Sequence, residues 1–192
     1  MTASGTNLSL VTGGAGFIGS HIAERLLREG ERVRILDNFA TGRRETAAWL
    51  ARTFGDRVEI HEGDIGEPEA CLRAMAGVRV VYHEAALASV PRSLEAPEET
   101  NRVNVTGTLN VLLAARDAGV ERLVYAGSSS VYGENPILPK QEDMRPAPLS
   151  PYALSKYVGE EYARLFREYF GVRTVTLRYF NVFGPRQDPD SP

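Results

Sequence analysis

A strand-like run, a glycine-rich turn and a helical stretch follow one another near the start of the chain. The run covers residues 8–12, and the turn extends from Gly13 to Gly19. Apolar side chains then recur on one helical face over residues 20–28, and Gly30 predicts the end of that helix. A glycine motif between a strand and a helix is typical of a dinucleotide-binding unit.

The three spaced glycines of this turn each have a separate physical reason. Gly13 permits a tight turn, Gly16 lets the backbone approach a pyrophosphate, and Gly19 lets the helix pack closely on the strand. The helix N-terminus offers N–H groups and the positive end of its dipole to the phosphates. The turn therefore predicts a dinucleotide cofactor.

Strand-like runs alternate with helical stretches along the whole chain. The runs cover residues 8–12, 33–37, 57–61, 78–82, 122–126 and 173–178, and the helical stretches cover 20–28, 67–76, 98–119 and 151–170. This alternation predicts an α/β, Rossmann-like fold: a doubly wound parallel sheet of order 3-2-1-4-5-6 that binds ligands at the carboxyl ends of its strands. We expect residues 1–178 to form the dinucleotide-binding domain, and residues 179–192 to be only the start of a C-terminal substrate domain.

The composition excludes several other classes of protein. Of the 192 residues, 43% are hydrophobic and 24% are charged, and the net charge of −3 leaves no basic surface for nucleic acid or an anionic membrane. No apolar run is long enough to span a membrane, and residues 1–7 are too polar for a signal peptide. His21 and His61 fit no metal-ligand spacing. The single cysteine, Cys71, forms no internal disulfide, is predicted to be a core residue and suits a cytoplasmic protein.

Carboxylates follow the second and third strand-like runs. Asp37 ends the second run at the distance from the glycines, about 20 residues, at which an acid meets the adenosine ribose. Its charge would repel a 2′-phosphate, which favours NAD over NADP, although Arg43 and Arg44 leave NADP open. An acid that caps a turn is the alternative for Asp37. Asp64 stands at the end of the third run, where it could contact the adenine.

Tyr152 and Lys156 lie four residues apart in the last helical stretch and therefore on one helical face. A cation about 4 Å from the phenol stabilises the phenolate by about 4 kcal/mol, or about three pKa units, at an effective dielectric of about 20. This would make Tyr152 an acid–base group near neutral pH. The alternative is an amphipathic helix with an exposed lysine. His83, directly after the fourth run, is a candidate catalytic histidine. It is predicted to be structural, because a histidine at the end of a strand more often has that role.

Several motifs together resemble those of the extended short-chain dehydrogenases/reductases, within the NAD-dependent epimerase/dehydratase family. They are Thr12-Gly13-Gly14-Ala15-Gly16-Phe17-Ile18-Gly19, Asp64-Ile65, Ser128, Tyr152-x-x-x-Lys156 and Arg178-Tyr179-Phe180-Asn181. The chain is most similar to the 4-epimerases of UDP-glucose and UDP-N-acetylglucosamine, and the resemblance covers almost its whole length. It implies NAD as the cofactor, a UDP-sugar as the substrate, and a homodimer that pairs through the helices at 98–119 and 152–170.

The resemblance also implies roles for individual residues. Ser128 would hydrogen-bond the reacting oxygen, Tyr152 would be the general base and acid, and Lys156 would bind the nicotinamide ribose and lower the pKa of Tyr152. Tyr152 and Lys156 would contact the cofactor together with Gly13, Gly16, Phe17, Ile18, Gly19, Asp37, Asn38, Thr41, Gly42, Asp64, Ile65, Ala85, Ala86, Leu87, Asn104 and Phe180. Ser128, Tyr152 and Asn181 would contact the substrate.

The implied reaction is a transient oxidation of the sugar at C4. Tyr152 would take the proton of the 4-hydroxyl while hydride passes to NAD, and the 4-keto sugar would receive the hydride on its other face. Related dehydratases carry an acid pair after the serine and related decarboxylases a glutamate, whereas this chain has Ser129 and Ser130, which disfavours both reactions. A catalytically silent NAD-binding fragment is a further alternative, because the family continues into a substrate domain beyond the last residue of this sequence.

Overall fold

The computed structural model describes residues 8–189, and the expectations for residues 1–7 and 190–192 lie outside this part. The strands are β1 (Leu8–Thr12), β2 (Arg32–Asp37), β3 (Val58–Glu62), β4 (Val80–His83), β5 (Arg122–Ser128) and β6 (Thr174–Tyr179). The helices are α1 (Phe17–Arg28), α2 (Arg44–Phe54), α3 (Pro68–Met75), α4 (Val90–Glu95), α5 (Pro97–Asn101), α6 (Gly107–Asp117) and α7 (Pro151–Tyr169). A π-helical turn, Arg102–Thr106, joins α5 to α6, and short 3-10 turns follow α2 (Gly55–Arg57) and β5 (Ser129–Tyr132).

The strands form one parallel sheet in the order β3-β2-β1-β4-β5-β6. This confirms the predicted doubly wound fold and its strand order. The chain runs outward from β1 to β2 and β3 and then crosses back to β4, so the direction of winding changes between β1 and β4. In such sheets ligands bind outside the carboxyl ends of the strands at this switch point. The glycine-rich turn after β1 and the small residues after β4 meet there.

Helices cover both faces of the sheet. Successive residues of β1 point to opposite faces, so Leu10 packs with the core beneath α3, α6 and α7, and Val11 packs with the core beneath α1 and α2. All residues of β1 are buried, as a parallel sheet with two covered faces requires. Cys71 of α3 is fully buried in the larger core, which confirms its prediction as a core residue.

Two helices of the structure, α2 and α4, are absent from the sequence-based expectation. Helix α2 buries Ala47 and Leu50 and packs Trp49 and Phe54 against the same core, so the sequence carries an apolar helical face there that the expectation lacks. Helix α4 has only six residues, and it begins after Ser89, whose hydroxyl accepts a hydrogen bond from the backbone nitrogen of Arg92. Both helices border the ligand cleft described below.

Other elements form where they are predicted, with shifted ends. Helix α1 begins at Phe17, inside the glycine-rich turn, and β5 extends to Ser128. The predicted helix at 98–119 is interrupted by the π turn, so it runs as α5, the turn and α6. The longer β5 matters most, because it places Ser128 at the carboxyl edge of the sheet.

Candidate active site

A cleft of about 1230 Å³ opens at the carboxyl ends of the strands. Most of the residues predicted for the cofactor or substrate line it: Gly13, Gly16, Phe17, Ile18, Gly19, Asp37, Asn38, Thr41, Asp64, Ile65, Ala85, Ala86, Leu87, Ser128, Tyr152, Lys156, Phe180 and Asn181. Gly42 and Asn104 are not part of this lining. The fold thus brings together residues that are far apart in the sequence.

The glycine-rich turn faces the cleft with backbone atoms and leaves no room for side chains. Gly13 has a φ of +67°, and an added Cβ there would lie 2.8 Å from the backbone nitrogen of Ala85. An added Cβ at Gly19 would overlap the carbonyl oxygen of Gly13. Helix α1 begins after Gly16 with no side-chain cap and no acidic residue in its first turn. Its first N–H groups can therefore bind the phosphates of a dinucleotide.

Asp37 ends β2 with its carboxylate against the glycine-rich turn. It accepts hydrogen bonds from the backbone nitrogens of Ala15 at 2.9 Å and Phe39 at 2.8 Å, so it caps the turn after β2 as well as lining the cleft. Burial raises the pKa of Asp37, and the two N–H groups oppose this rise. An added Cβ at Gly42 would lie 2.8 Å from both carboxylate oxygens, so Gly42 makes room for the acid rather than lining the cleft.

Asp64 follows β3 and ties three parts of the cleft together. Its carboxylate accepts hydrogen bonds from Asn38 Nδ2 at 3.1 Å, from the backbone nitrogen of Gly66 at 2.7 Å and from Arg102 of the π turn at 3.1 Å. Burial alone would raise the pKa of Asp64, but the hydrogen bonds from Arg102 and Gly66 lower it below the usual value. The ionised acid therefore holds the segments after β2 and β3 and the π turn together at this end of the cleft.

Asn104 is buried and is not part of the cleft lining, and its predicted contact with the cofactor stays a prediction. Its Oδ1 accepts a hydrogen bond from the backbone nitrogen of Leu87 at 2.8 Å. Its Nδ2 donates to the carbonyl oxygen of Leu87 at 3.2 Å and to Ser155 Oγ at 3.0 Å. Because these buried hydrogen bonds use its amide group, Asn104 positions the segment 85–87 against α7.

Ser128 and Tyr152 meet in the cleft from β5 and α7. Helix α7 begins at Pro151, directly after Ser150, because the Ser150 hydroxyl caps the helix by accepting a hydrogen bond from the backbone nitrogen of Ala153 at 3.1 Å. Ser128 is buried, and its Oγ lies 2.8 Å from Ser130 Oγ. Burial raises the pKa of the Tyr152 phenol, and a hydrogen bond with Ser128 opposes this rise. Both residues line the same cleft.

Lys156 is 4% exposed, so the alternative of an exposed surface lysine is wrong. Its Nζ donates to the carbonyl oxygen of Ala126 at 2.9 Å and lies 5.3 Å from the ring centroid of Tyr125. Burial lowers the pKa of Lys156 to about 8, and the negative charge of Glu84 opposes this shift. The predicted lowering of the Tyr152 pKa by Lys156 stays a prediction, because the interactions that shift this pKa in the structure are burial and the hydrogen bond with Ser128.

His83 is a structural residue, as predicted. It is 1% exposed, its Nδ1 lies 2.7 Å from Thr12 Oγ1, and its Nε2 lies 3.0 Å from Thr108 Oγ1. Thr108 Oγ1 donates its proton to the carbonyl oxygen of Asn104 at 2.7 Å, so it accepts one from Nε2. One neutral tautomer satisfies both ring nitrogens, and burial lowers the pKa of His83 to about 3. The ring is therefore neutral at neutral pH, with both nitrogens engaged inside the fold.

The far side of the cleft is formed by residues that follow β6. Phe180 is 58% exposed, and its ring is stacked on Tyr132 with 6.3 Å between centroids. The guanidinium of Arg178 lies 4.8 Å from the ring centroid of Tyr132 and pairs with Glu160 of α7 at 2.6 Å. Asn181 is exposed beside them. The position of Phe180 thus depends on an ion pair between α7 and β6.

One cleft contains the glycine-rich turn of residues 13–19, here called the glycine cradle, together with the carboxylate of Asp37 at the end of β2. The same cleft contains Ser128, Tyr152 and Lys156. Residues 9–192 match the profile of the NAD dependent epimerase/dehydratase family. The chain belongs to this family. NAD is accordingly its cofactor, and the family's glycine cradle is the part of the cleft that the phosphates of NAD fit.

Similar proteins within the family include sugar-nucleotide epimerases and a dehydratase, the dTDP-glucose 4,6-dehydratase DesIV of Streptomyces venezuelae, which has a TM-score of 0.88 and 35% identity with 95% of this chain and 58% of that chain covered. The UDP-glucose 4-epimerase of Mycolicibacterium smegmatis is 41% identical over 183 residues, which are 94% of this chain and 58% of that protein. The solved Thermus thermophilus UDP-glucose 4-epimerase in complex with NAD has a TM-score of 0.86 and 44% identity, with 95% of this chain and 58% of that chain covered. The UDP-N-acetylglucosamine 4-epimerase of Methanobrevibacter ruminantium M1, in complex with UDP-N-acetylmuramic acid, has a TM-score of 0.89 and 39% identity, with 96% and 58% covered. The chain thus spans about 58% of the length of these family members.

Some residues that form the cleft of this protein are absent from the site residues predicted from the sequence. Glu84 and Tyr179 line the cleft, and the backbone nitrogen of Ala15 fixes Asp37. The signal for Glu84 was its place directly after a buried strand, where the sheet presents its ligand-binding edge. Within residues 8–189, no helix is long and apolar enough to cross a membrane, and no group of three or more acidic, histidine or cysteine side chains could hold a metal ion.

Proposed function

We propose that this chain carries the cofactor-binding and catalytic part of an NAD-dependent UDP-sugar 4-epimerase. The observation that carries the proposal is the convergence of Ser128, Tyr152 and Lys156 in the cleft that also contains the glycine cradle. The substrate class follows from similar proteins named UDP-glucose and UDP-N-acetylglucosamine 4-epimerases. Residues 1–178 would form the NAD-binding domain, and residues 179–192 would begin the substrate-binding region.

Each catalytic side chain has a task that its surroundings support. Tyr152 takes the proton of the sugar 4-hydroxyl and later returns it, and Ser128 donates a hydrogen bond to the same oxygen. NAD, when bound, supplies the hydride acceptor and donor. Because burial raises the pKa of Tyr152, its phenolate needs a nearby cation at the moment of proton transfer. Lys156 is the cation that the cleft offers, and it would also bind the nicotinamide ribose.

Loss of water or of carbon dioxide from the sugar fits this cleft less well. Both reactions need an acid or a base beside the residue that binds the reacting oxygen. The positions after Ser128 are Ser129 and Ser130, and Ser130 Oγ is engaged with Ser128 Oγ at 2.8 Å. Hydroxyl groups of this kind do not titrate near neutral pH. Epimerisation needs only the groups that are present.

NAD binding without turnover is the second candidate function. It is favoured by the exposure of the substrate side, where Phe180 is 58% exposed and Phe183 is 89% exposed. Apolar side chains this exposed next to a complete cofactor cradle leave a sugar with few contacts. Turnover by the 192-residue chain itself would exclude this candidate.

The experiment that tests both candidates is incubation of the purified chain with NAD and either UDP-glucose or UDP-N-acetylglucosamine, followed by chromatography with mass detection. A product of unchanged mass, inverted at C4, supports the epimerase. Tyr152→Phe should abolish it, whereas Tyr169→Phe, a matched change at an exposed tyrosine of the same helix, should not. A product lighter by the mass of water or of carbon dioxide would replace epimerisation with a sister reaction. NAD binding with no product would support the silent candidate.

A homodimer that pairs through the helices at 98–119 and 152–170 is part of this proposal. Leu154 of α7 is 52% exposed and Leu94 of the neighbouring α4 is 64% exposed, so an apolar surface lies beside α7. Sedimentation at micromolar concentration should give the mass of two chains, and Leu154→Glu should give the mass of one. A monomer in the unchanged protein would reject the pairing.

A further inference from the structure

Glu84 is a titratable group of the cleft that has no role in the steps above. It directly follows β4, is partly buried and lines the cleft. Its Oε1 accepts a hydrogen bond from the hydroxyl of Tyr179 at 3.1 Å. Burial raises the pKa of Glu84, while this hydrogen bond and the charge of Lys156 oppose the rise. Both opposing interactions favour the ionised carboxylate.

The hydrogen bond between Glu84 and Tyr179 passes over the end of β5. Glu84 follows β4 and Tyr179 ends β6, and β5 lies between these strands. The carbonyl oxygen that Lys156 Nζ contacts belongs to Ala126 of this same strand, β5. The bridge from β4 to β6 therefore passes over the carboxyl end of the strand that holds the lysine. The carboxylate and the ammonium face the same cleft without a direct ion pair among the described residues.

Three acids on the elements around Lys156 are already paired with arginines: Glu160 with Arg178, Glu99 with Arg92, and Asp64 with Arg102. Glu95 of α4 and Glu98 of α5 lie at the exposed surface. Burial lowers the pKa of His83 to about 3 and raises the pKa values of Tyr125, Tyr152 and Tyr179, so these rings carry no charge at neutral pH. The carbonyl oxygen of Ala126 supplies a dipole only. A buried ammonium is costly without an opposite charge nearby.

We propose that Glu84 is a positioning residue whose carboxylate, held in place by Tyr179, keeps the Lys156 ammonium charged inside the cleft. Tyr179 suits this task because burial, followed by the charge of Glu84, raises the pKa of its phenol, so it remains a donor. The inference rests on the function proposed above, in which Lys156 acts as a cation. Its test needs no turnover, so failure of the epimerase assignment and failure of this inference are distinguishable.

The test is a direct titration of Lys156 by NMR of protein labelled with ¹³C at lysine Cε. The chain has two lysines, Lys140 and Lys156, so a Lys140→Arg variant assigns both signals. The midpoint for Lys156 is expected near pH 8 in the unchanged protein. Glu84→Gln should lower it by about one pKa unit, because a unit charge is lost from a partly buried cleft. Glu84→Asp, which keeps the charge, should restore most of the difference.

Glu62→Gln is the matched control, because it removes one carboxylate from the end of β3 at the protein surface. It should leave the Lys156 midpoint unchanged, which shows that net charge alone is not responsible. Equal midpoints in the unchanged protein and in folded Glu84→Gln would overturn the proposal. Should Glu84→Gln fail to fold, Tyr179→Phe decides instead: a lowered Lys156 midpoint supports the proposal, and an unchanged midpoint overturns it.

Discussion

His83 should make the stability of this protein depend on pH, and the effect can be isolated by replacing it. The folded protein holds the pKa of His83 at about 3, against 6.5 for a free histidine, because burial disfavours the charged ring. Protons therefore bind preferentially to the unfolded chain, so stability is complete above pH 6.5 and is lost as the pH falls toward 3. Between about pH 7 and pH 5 the loss from this one residue amounts to about 2 kcal/mol.

This magnitude depends little on the exact pKa of the folded state. At about pH 5 a ring with a pKa anywhere below about 4 is almost entirely neutral when folded, so the unfolded chain sets the result. Asp37 and Glu84, whose pKa values are raised by burial, act in the opposite direction and gain stability on acidification. The pH dependence of the unchanged protein alone therefore does not report on His83. The contribution of His83 is the difference in pH dependence between the unchanged protein and a variant that lacks this histidine.

The assay is urea denaturation followed by circular dichroism at about pH 7 and pH 5, for the unchanged protein and His83→Gln. The unchanged protein should lose about 2 kcal/mol more on acidification than the variant. Thr108→Val is the control, because it removes the partner of Nε2 and keeps the histidine; it should be less stable at both pH values and retain the pH difference. An equal pH dependence in the unchanged protein and His83→Gln would refute the neutral, buried assignment of this ring.

Three further predictions follow from single contacts. Gly19→Ala should weaken NAD binding by at least about tenfold in titration calorimetry, because the new methyl group overlaps the carbonyl oxygen of the glycine cradle. Cys71 should resist a thiol reagent until urea unfolds the protein, since it is fully buried and burial raises its pKa to about 12. Glu160→Gln should lower the free energy of unfolding, measured by urea denaturation, by about 2 kcal/mol, because Arg178 loses its carboxylate partner in a largely buried site. Glu161→Gln, which changes an exposed pair with Arg164, should lower it by less than about 0.5 kcal/mol.

The sequence was informative wherever one local pattern determines one structural feature. The strand order could be predicted because parallel strands require helical crossovers, and the alternation of the two is visible in the chain. The positions of Gly13, Gly19 and Asp37 could be predicted because each has a steric or electrostatic requirement at a fixed distance from β1. Ser128 and Tyr152 were predicted through the family resemblance, and the structure brings them together in the cleft.

Features that depend on contacts across the fold could not be predicted in this way. The pKa of Tyr152 depends on burial of the phenol and on a hydrogen bond with Ser128, and the sequence shows neither of these contacts. Helix α4 was missed because six residues give no period, and the π turn was missed because apolar spacing does not distinguish it from an α-helix. The partner of Glu84 lies 95 residues away in the sequence.

The π turn shows how two parts of the cleft are held together through Asn104. The turn places Asn104 where its amide group bonds both backbone groups of Leu87 and the hydroxyl of Ser155. Ser155 Oγ in turn donates to the carbonyl oxygen of Tyr152 at 2.8 Å. One buried side chain therefore links the segment 85–87 to the helical turn that carries Tyr152. Since each such bond contributes about 1 kcal/mol, the three together resist a shift of α7 along the cleft.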